Sequence, residues 1–277
     1  RSLRSPTSDI FTVVPPLPDR KVAEEVILGC YHTMVLAKDG TVLGCGYNSK
    51  GQLGLNDDRW RGSFEVLPRL PGGKRAKQVI AGASHTIILA EDGTLFASGW
   101  NNCGQLGLGD TTDRYAFTAV PALPDGKAVR AVVAGYGHTM VLADDLSLYA
   151  SGRNDYGQLG KGDTTNRLTF KRVPPLPDGK RISHVRTGAN HTMILADDGT
   201  VFACGDNSER QLGLGASAEI TPRFTFTAVP ALPHGRVAKD VVPGGWHTMV
   251  LADDGTVFAV GRGGHGQLGL NDTTANC

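Results

Sequence analysis

Residues 135–160 read GYGHTMVLADDLSLYASGRNDYGQLG, and the pattern within them is written five times along the chain. Its histidine recurs in steps of 53, 53, 53 and 56 residues, at His32, His85, His138, His191 and His247. The closing letters GQLG recur at 51–54, 104–107, 157–160 and 266–269, and the fourth copy has Arg210 in place of the first glycine. Self-similarity at a fixed period of this size indicates a solenoid, a propeller or an array.

The apolar pattern within one copy predicts an all-β fold. In residues 117–169, short runs rich in Val, Leu, Thr and Phe predict four strands, at 117–121, 129–134, 139–143 and 148–151. A tight Asp-Gly hairpin joins the last two strands in four copies. The third copy has Asp145-Leu146 there, which predicts a different turn or local strain, because leucine resists positive φ. Four-stranded units of about 50 residues are typical of propeller blades.

The combination of G-x-x-H-T, D-G, G-x-N and G-Q-L-G resembles the regulator of chromosome condensation repeat over residues 11–277. The resemblance implies a β-propeller, commonly of seven blades. Residues 1–10 would be a lead-in to one propeller domain with repeats at 11–63, 64–116, 117–169, 170–225 and 226–277. Because the chain starts at Arg1 without Met and stops in the loop after the last GQLG, we expect it to be part of a seven-bladed ring. A complete smaller ring is the alternative.

Composition restricts the classes of partner and compartment. The net charge is +1, from 28 basic and 27 acidic residues, so direct nucleic-acid binding through bulk charge is not expected. No apolar run approaches the length of a membrane span. Five cysteines at spacings that fit neither a metal site nor a disulfide framework favour a reducing, intracellular compartment.

The recurring polar residues predict structure rather than catalysis. One histidine per blade would place the five around a ring, whereas a metal needs ligands that converge on one point. We therefore expect replacement of His85 or His138 to lower stability rather than remove an activity. The glycines of GQLG lack the lysine of a phosphate-binding loop. The sequence thus predicts no enzyme, no catalytic residues, no metal and no cofactor.

Positions at which the copies differ are the candidates for partner binding. Aromatic residues occupy the free positions of G-x-x-H at Tyr31, Tyr136 and Trp246, and a second variable loop around G-x-N contains Trp100, Arg153 and Tyr156. Such residue types are enriched where interfaces gain most of their affinity. Packing between blades is the alternative role. Some relatives sense light with Trp and Arg at the first position; we expect the aromatics here to lack Arg partners, so light sensing is not predicted.

These observations predict a non-catalytic scaffold or complex subunit that presents propeller loops to a protein partner. The alternative, implied by the resemblance, is guanine-nucleotide exchange on a small GTPase. In the family that activity depends on a long inserted wedge and on acidic residues of one face. The only insertion here is three residues, within 214–225.

Overall fold

In the part of the chain that the structure describes, the strands form five antiparallel sheets, four with four strands and one with three. The computed structural model describes residues 11–215 and 219–271. The strands are β1 Ala23–Leu28, β2 His32–Ala37, β3 Val42–Gly46, β4 Arg61–Val66, β5 Ala76–Ala81, β6 His85–Ala90, β7 Leu95–Gly99, β8 Arg114–Ala119, β9 Val129–Ala134, β10 His138–Ala143, β11 Leu148–Gly152, β12 Arg167–Arg172, β13 Ile182–Thr187, β14 His191–Ala196, β15 Val201–Gly205, β16 Arg223–Ala228, β17 Ala238–Pro243, β18 His247–Ala252 and β19 Val257–Gly261. Short 3-10 turns precede the first strand of each sheet, at Pro18–Arg20, Pro71–Gly73, Pro124–Gly126, Pro177–Gly179 and Pro233–Gly235.

The sheets are blades around a common axis. Their first strands, β1, β5, β9, β13 and β17, contact one another in succession. The chain that follows these strands lines one shared cavity, with residues from all five sheets. Each blade then runs outward strand by strand. The predicted β-propeller fold is confirmed.

The blades are offset from the sequence repeats by one strand. We predicted that the four strands within 117–169 form one sheet, but β8, which contains Phe117, pairs with β7 of the preceding repeat. In the same way β12 pairs with β11 and β16 with β15. The prediction was wrong because the Pro-rich turn after each Phe-bearing strand, not the loop before it, carries the chain to the next blade. Each repeat is thereby attached to two blades.

A chain of hydrogen bonds fastens each blade to its neighbour. Thr139 Oγ1 donates to the backbone oxygen of Gln105 at 2.8 Å, and this bond uses the only proton of the hydroxyl group. Nε2 of His85, 3.0 Å from Thr139 Oγ1, must therefore carry the proton and donate it to this oxygen. The arrangement recurs at His32 with Thr86, His138 with Thr192 and His191 with Thr248.

The relay histidines, His32, His85, His138 and His191, are held neutral. Burial lowers the pKa of His85 and His138 to about 3, and that of His32 and His191 to about 4. Their Nδ1 atoms are buried and have no hydrogen-bond partner within the described residues. A proton added there would be buried without an acceptor, which is costly.

The third hairpin keeps the turn of the others at the expense of backbone strain. Leu146 has φ +67°, where the equivalent Gly93 has +86°. Asp145 Oδ1 accepts from the backbone N–H of Ser147, as Asp92 Oδ1 does from that of Thr94. The turn geometry is thus retained, and the strain that the sequence predicted is located at Leu146.

Replacing His138 with Ala is expected to lower the free energy of unfolding by about 1–3 kcal/mol, because Thr192 loses its buried donor and a void remains. His184→Ala, on an exposed side chain of β13, is the control and should change stability by less than about 0.5 kcal/mol. Urea denaturation followed by circular dichroism measures both. Full stability of the His138 variant, together with loss of a binding function, would show that the histidine is not structural.

Candidate functional site

Two sets of loops meet at one end of each blade. The turn before the repeat histidine lies beside the loop that contains G-x-N, since Arg153 N donates to the backbone oxygen of Gly137 at 2.7 Å. Equivalent bonds join Tyr47 to Tyr31, Trp100 to Ser84 and Arg262 to Trp246. The variable positions of both sets therefore share a surface. We call it the aromatic face and define it by Tyr31, Tyr47, Trp60, Trp100, Tyr136, Arg153, Tyr156, Trp246 and Arg262.

The largest cluster on the aromatic face bridges the second and third blades. Trp100 and Tyr136 meet edge to face, with ring centroids 6.0 Å apart and an interplanar angle of 84°. The Arg153 guanidinium lies 5.6 Å from the centroid of the Tyr156 ring. Gly137 lies between the two pairs, since a Cβ there would be in ordinary van der Waals contact with Arg153 at 3.4 Å and with Trp100 at 3.5 Å. Four of the six predicted residues thus come together.

A second cluster surrounds Tyr31 on the first blade. Its ring meets Tyr47 edge to face at 6.2 Å, and Tyr47 lies 5.1 Å from Trp60. Tyr31 is 74 % exposed and Trp60 68 %. Trp60, in the linker before β4, is not among the residues that the sequence predicted. The signal was available: the equivalent positions hold Asp113 and Asn166, so the repeat does not require an aromatic there.

The third cluster corrects one expectation. We expected the aromatics to lack arginine partners, but Arg262 lies 5.7 Å from the centroid of the Trp246 ring. The two residues are 16 apart in sequence, and the hairpin formed by β18 and β19 brings them together. Trp246 remains 46 % exposed, so a partner can still reach the indole.

The loops of the aromatic face are held rigidly. Asn101 accepts from the backbone N–H of Leu106 at 3.0 Å and donates to the backbone oxygen of Asp110 at 2.9 Å. The Asp110 carboxylate pairs with Arg114 at 2.6 Å, and this bond lowers the pKa of the acid. Asn48 with Asp57 and Asn154 with Asp163 repeat the arrangement. The recurring Asn is therefore a loop clamp, which leaves the neighbouring variable side chains on a fixed frame.

The aromatic face offers rings and guanidiniums for contact, and the thiol near its largest cluster is unreactive. Burial raises the pKa of the Cys103 thiol near the cluster, so it is protonated at neutral pH and a poor nucleophile. Within the described residues no three His, Cys, Asp or Glu side chains are grouped to hold a metal. Nor does that part of the chain contain a helix long and apolar enough to cross a membrane.

Comparisons with known proteins agree with this architecture. The family described as RCC1-like domain matches residues 4–277. The ultraviolet-B receptor UVR8 of Arabidopsis thaliana is 34 % identical over 275 residues, which are 96 % of this chain and 59 % of the receptor. The mouse X-linked retinitis pigmentosa GTPase regulator is 41 % identical over 133 residues, 48 % of this chain and 13 % of that protein.

Two solved structures share the fold. Human WBSCR16 has a TM-score of 0.81 at 23 % identity, covering 93 % of this chain and 67 % of that one. Yeast RCC1 (Prp20), solved with bound Kap60, has a TM-score of 0.77 at 21 % identity, covering 93 % and 60 %. The chain therefore spans 59 % of the length of the receptor and 60–67 % of these two structures.

Proposed function

The chain belongs to the RCC1-like domain family, and from that premise we propose that it is a non-catalytic scaffold that binds a protein partner through its aromatic face. The observation that supports this most is the cluster of Trp100, Tyr136, Arg153 and Tyr156. It combines an exposed ring, Tyr136, and two half-buried rings with a guanidinium at a junction between blades.

The energetics of binding favour such a surface. Trp, Tyr and Arg contribute most of the affinity at protein interfaces, and groups already held in place lose less conformational entropy on binding. The Asn clamps and the bond between Arg153 and Gly137 supply that order in the free protein. The described thiols Cys30, Cys45, Cys103 and Cys204 are unpaired, which supports an intracellular location as part of the proposal.

Nucleotide exchange on a small GTPase is the second candidate, supported by the name of the mouse relative, a GTPase regulator. It is tested separately, by release of labelled guanine nucleotide from a panel of purified small GTPases. If the unmodified chain stimulates release and the variant with Tyr136 and Trp246 replaced by Ala does not, exchange is assigned to the aromatic face. No stimulation leaves binding as the function.

Replacing Tyr136 and Trp246 together with Ala is expected to weaken partner binding by more than about 1–2 kcal/mol with no change in the melting temperature. Both side chains are about half exposed, so little folding energy depends on them. Tyr115→Ala, an exposed tyrosine of the outer strand β8, is the matched control and should bind normally. Affinity is measured by calorimetry with a partner isolated on the immobilised chain. A lowered melting temperature with unchanged affinity would show that the pair only packs between blades.

A further inference from the structure

The inner wall of the propeller has a charge pattern that the balanced composition hides. Strands β5, β9, β13 and β17 contain four permanently basic side chains, the histidine His184 and a single acid, Asp240. The basic residues are Lys77, Arg130, Arg186 and Lys239. In contrast, β1 has only acids, Glu24 and Glu25. A net positive wall thus extends over four blades of a chain whose overall charge is +1.

Irregular pairing directs some of these side chains away from the sheet. In β9 the register shifts between Val129 and Ala131, so Arg130 is unpaired in the ladder and exposed. The equivalent bulge in β13 contains Ser183. Equivalent bulges occur in all five inner strands, so they belong to the blade, and they re-aim the side chain of the extra residue. Here they place Arg130 and Ser183 at the rim of the same cavity.

The cavity lies between the third and fourth blades and has a volume of about 260 Å³. Its floor is apolar and contains the buried side chains of Val132, Met140 and Leu142. Its polar rim contains Gln78, Arg130, Ser183, His184 and Arg186 and no carboxylate. Outside this rim, the Arg186 guanidinium faces Asp240 of β17 at 3.8 Å, at the limit of an ion pair. The positive charge of the rim is therefore only partly compensated.

We propose that this cavity is a binding site for a phosphoryl group. Two guanidiniums supply planar donors suited to phosphate oxygens. Ser183 Oγ lies 2.9 Å from Nδ1 of His184; when the hydroxyl donates to Nδ1, Nε2 holds the proton and is a third donor. The apolar floor strengthens each of these interactions by lowering the local dielectric constant. The site is separate from the aromatic face, since none of the residues that line the cavity belongs to that face.

The test uses the purified chain and inorganic phosphate at constant ionic strength, with the His184 ring signals followed by NMR and assigned with His184→Gln. We expect a saturable shift, and Arg130→Gln and Arg186→Gln should each weaken binding by about tenfold or more. Lys171→Gln, which removes an exposed charge from the outer strand β12, is the matched control and should leave binding unchanged. Circular dichroism verifies that the variants fold.

A second arm compares a phosphoserine peptide with the same peptide carrying serine. Stronger binding of the phosphopeptide identifies a phosphorylated partner, and binding of inorganic phosphate alone identifies a free anion; either result supports the site. Two results would overturn the proposal. One is a non-saturating shift that follows ionic strength, and the other is an affinity of the Arg130 and Arg186 variants for phosphate equal to that of the unmodified chain.

Discussion

Acidification from pH 8 to pH 5 is expected to remove roughly 8 kcal/mol from the free energy of unfolding, as much as the whole stability of a typical domain. The cause is the set of four relay histidines. Each is neutral in the fold, with a pKa lowered to between about 3 and about 4, and each regains its ordinary pKa near 6.5 when the chain unfolds.

The sign follows from proton binding. Below about pH 6.5 the unfolded chain takes up protons that the folded chain refuses, so acid favours unfolding. The contribution of each histidine is fully present above its unfolded pKa and is lost as the pH falls toward its folded pKa. Four sites acting together give a slope of about 5 kcal/mol per pH unit below pH 6. The exposed ion pairs of the hairpin turns respond only at lower pH, because their carboxylates have lowered pKa values.

Urea denaturation at a series of pH values between 8 and 5 measures this slope. A His138→Gln variant, which removes one titrating ring, should reduce it by about a quarter. Stability that stays constant from pH 8 to pH 5 would contradict the account of the relay, because it would mean that the rings do not resist protonation in the fold.

The second large effect is expected at a glycine. Gly152 has φ +100°, and a Cβ there would lie 2.4 Å from the backbone oxygen of Gly137 and 2.8 Å from Cα of His138. Gly152→Ala should therefore lower the free energy of unfolding by about 3–5 kcal/mol, since backbone strain and a collision with backbone atoms add. The substitution would also separate the two loops that hold the cluster of Trp100, Tyr136, Arg153 and Tyr156.

Gly126 offers a matched control for the collision. It has φ +64° but no atom within 4 Å of an added Cβ, so Gly126→Ala should cost only about 1 kcal/mol, the price of the left-handed backbone. Thermal and urea denaturation of both variants measure the difference. Equal losses would show that steric contact at Gly152 is unimportant and that its conformation alone requires glycine.

Much of the fold could be predicted because the same strand pattern recurs five times along the chain. The strands of the type copy at 129–134, 139–143 and 148–151 agree with β9, β10 and β11 to within one residue. The offset between repeat and blade could not be predicted, because a periodic sequence does not show at which residue of the repeat a blade begins. Likewise, the sequence showed that His85 was structural, but its partner Thr139 lies 54 residues away on the next blade.

The candidate site was predictable only in part. Variation between copies selected Trp100 and Tyr136, which the fold brings together across a blade junction. The pairing of Arg262 with Trp246 was missed, because it depends on which loops a hairpin places side by side. The basic inner wall was missed for a similar reason: its charges are dispersed along the sequence and are assembled only when the first strands surround the axis.

The central claim is that positions shared by the copies build the blade and positions that differ bind the partner. Hydrogen–deuterium exchange of the chain, with and without a partner isolated on it, tests this most directly. We predict that the partner slows exchange in the loops at 30–31, 47–50, 100–103, 136–137, 153–156 and 246, which adjoin the aromatic face. Slowed exchange confined to the outer strands β4, β8, β12 and β16, or to the Pro-rich turns at the opposite end of the blades, would contradict the claim.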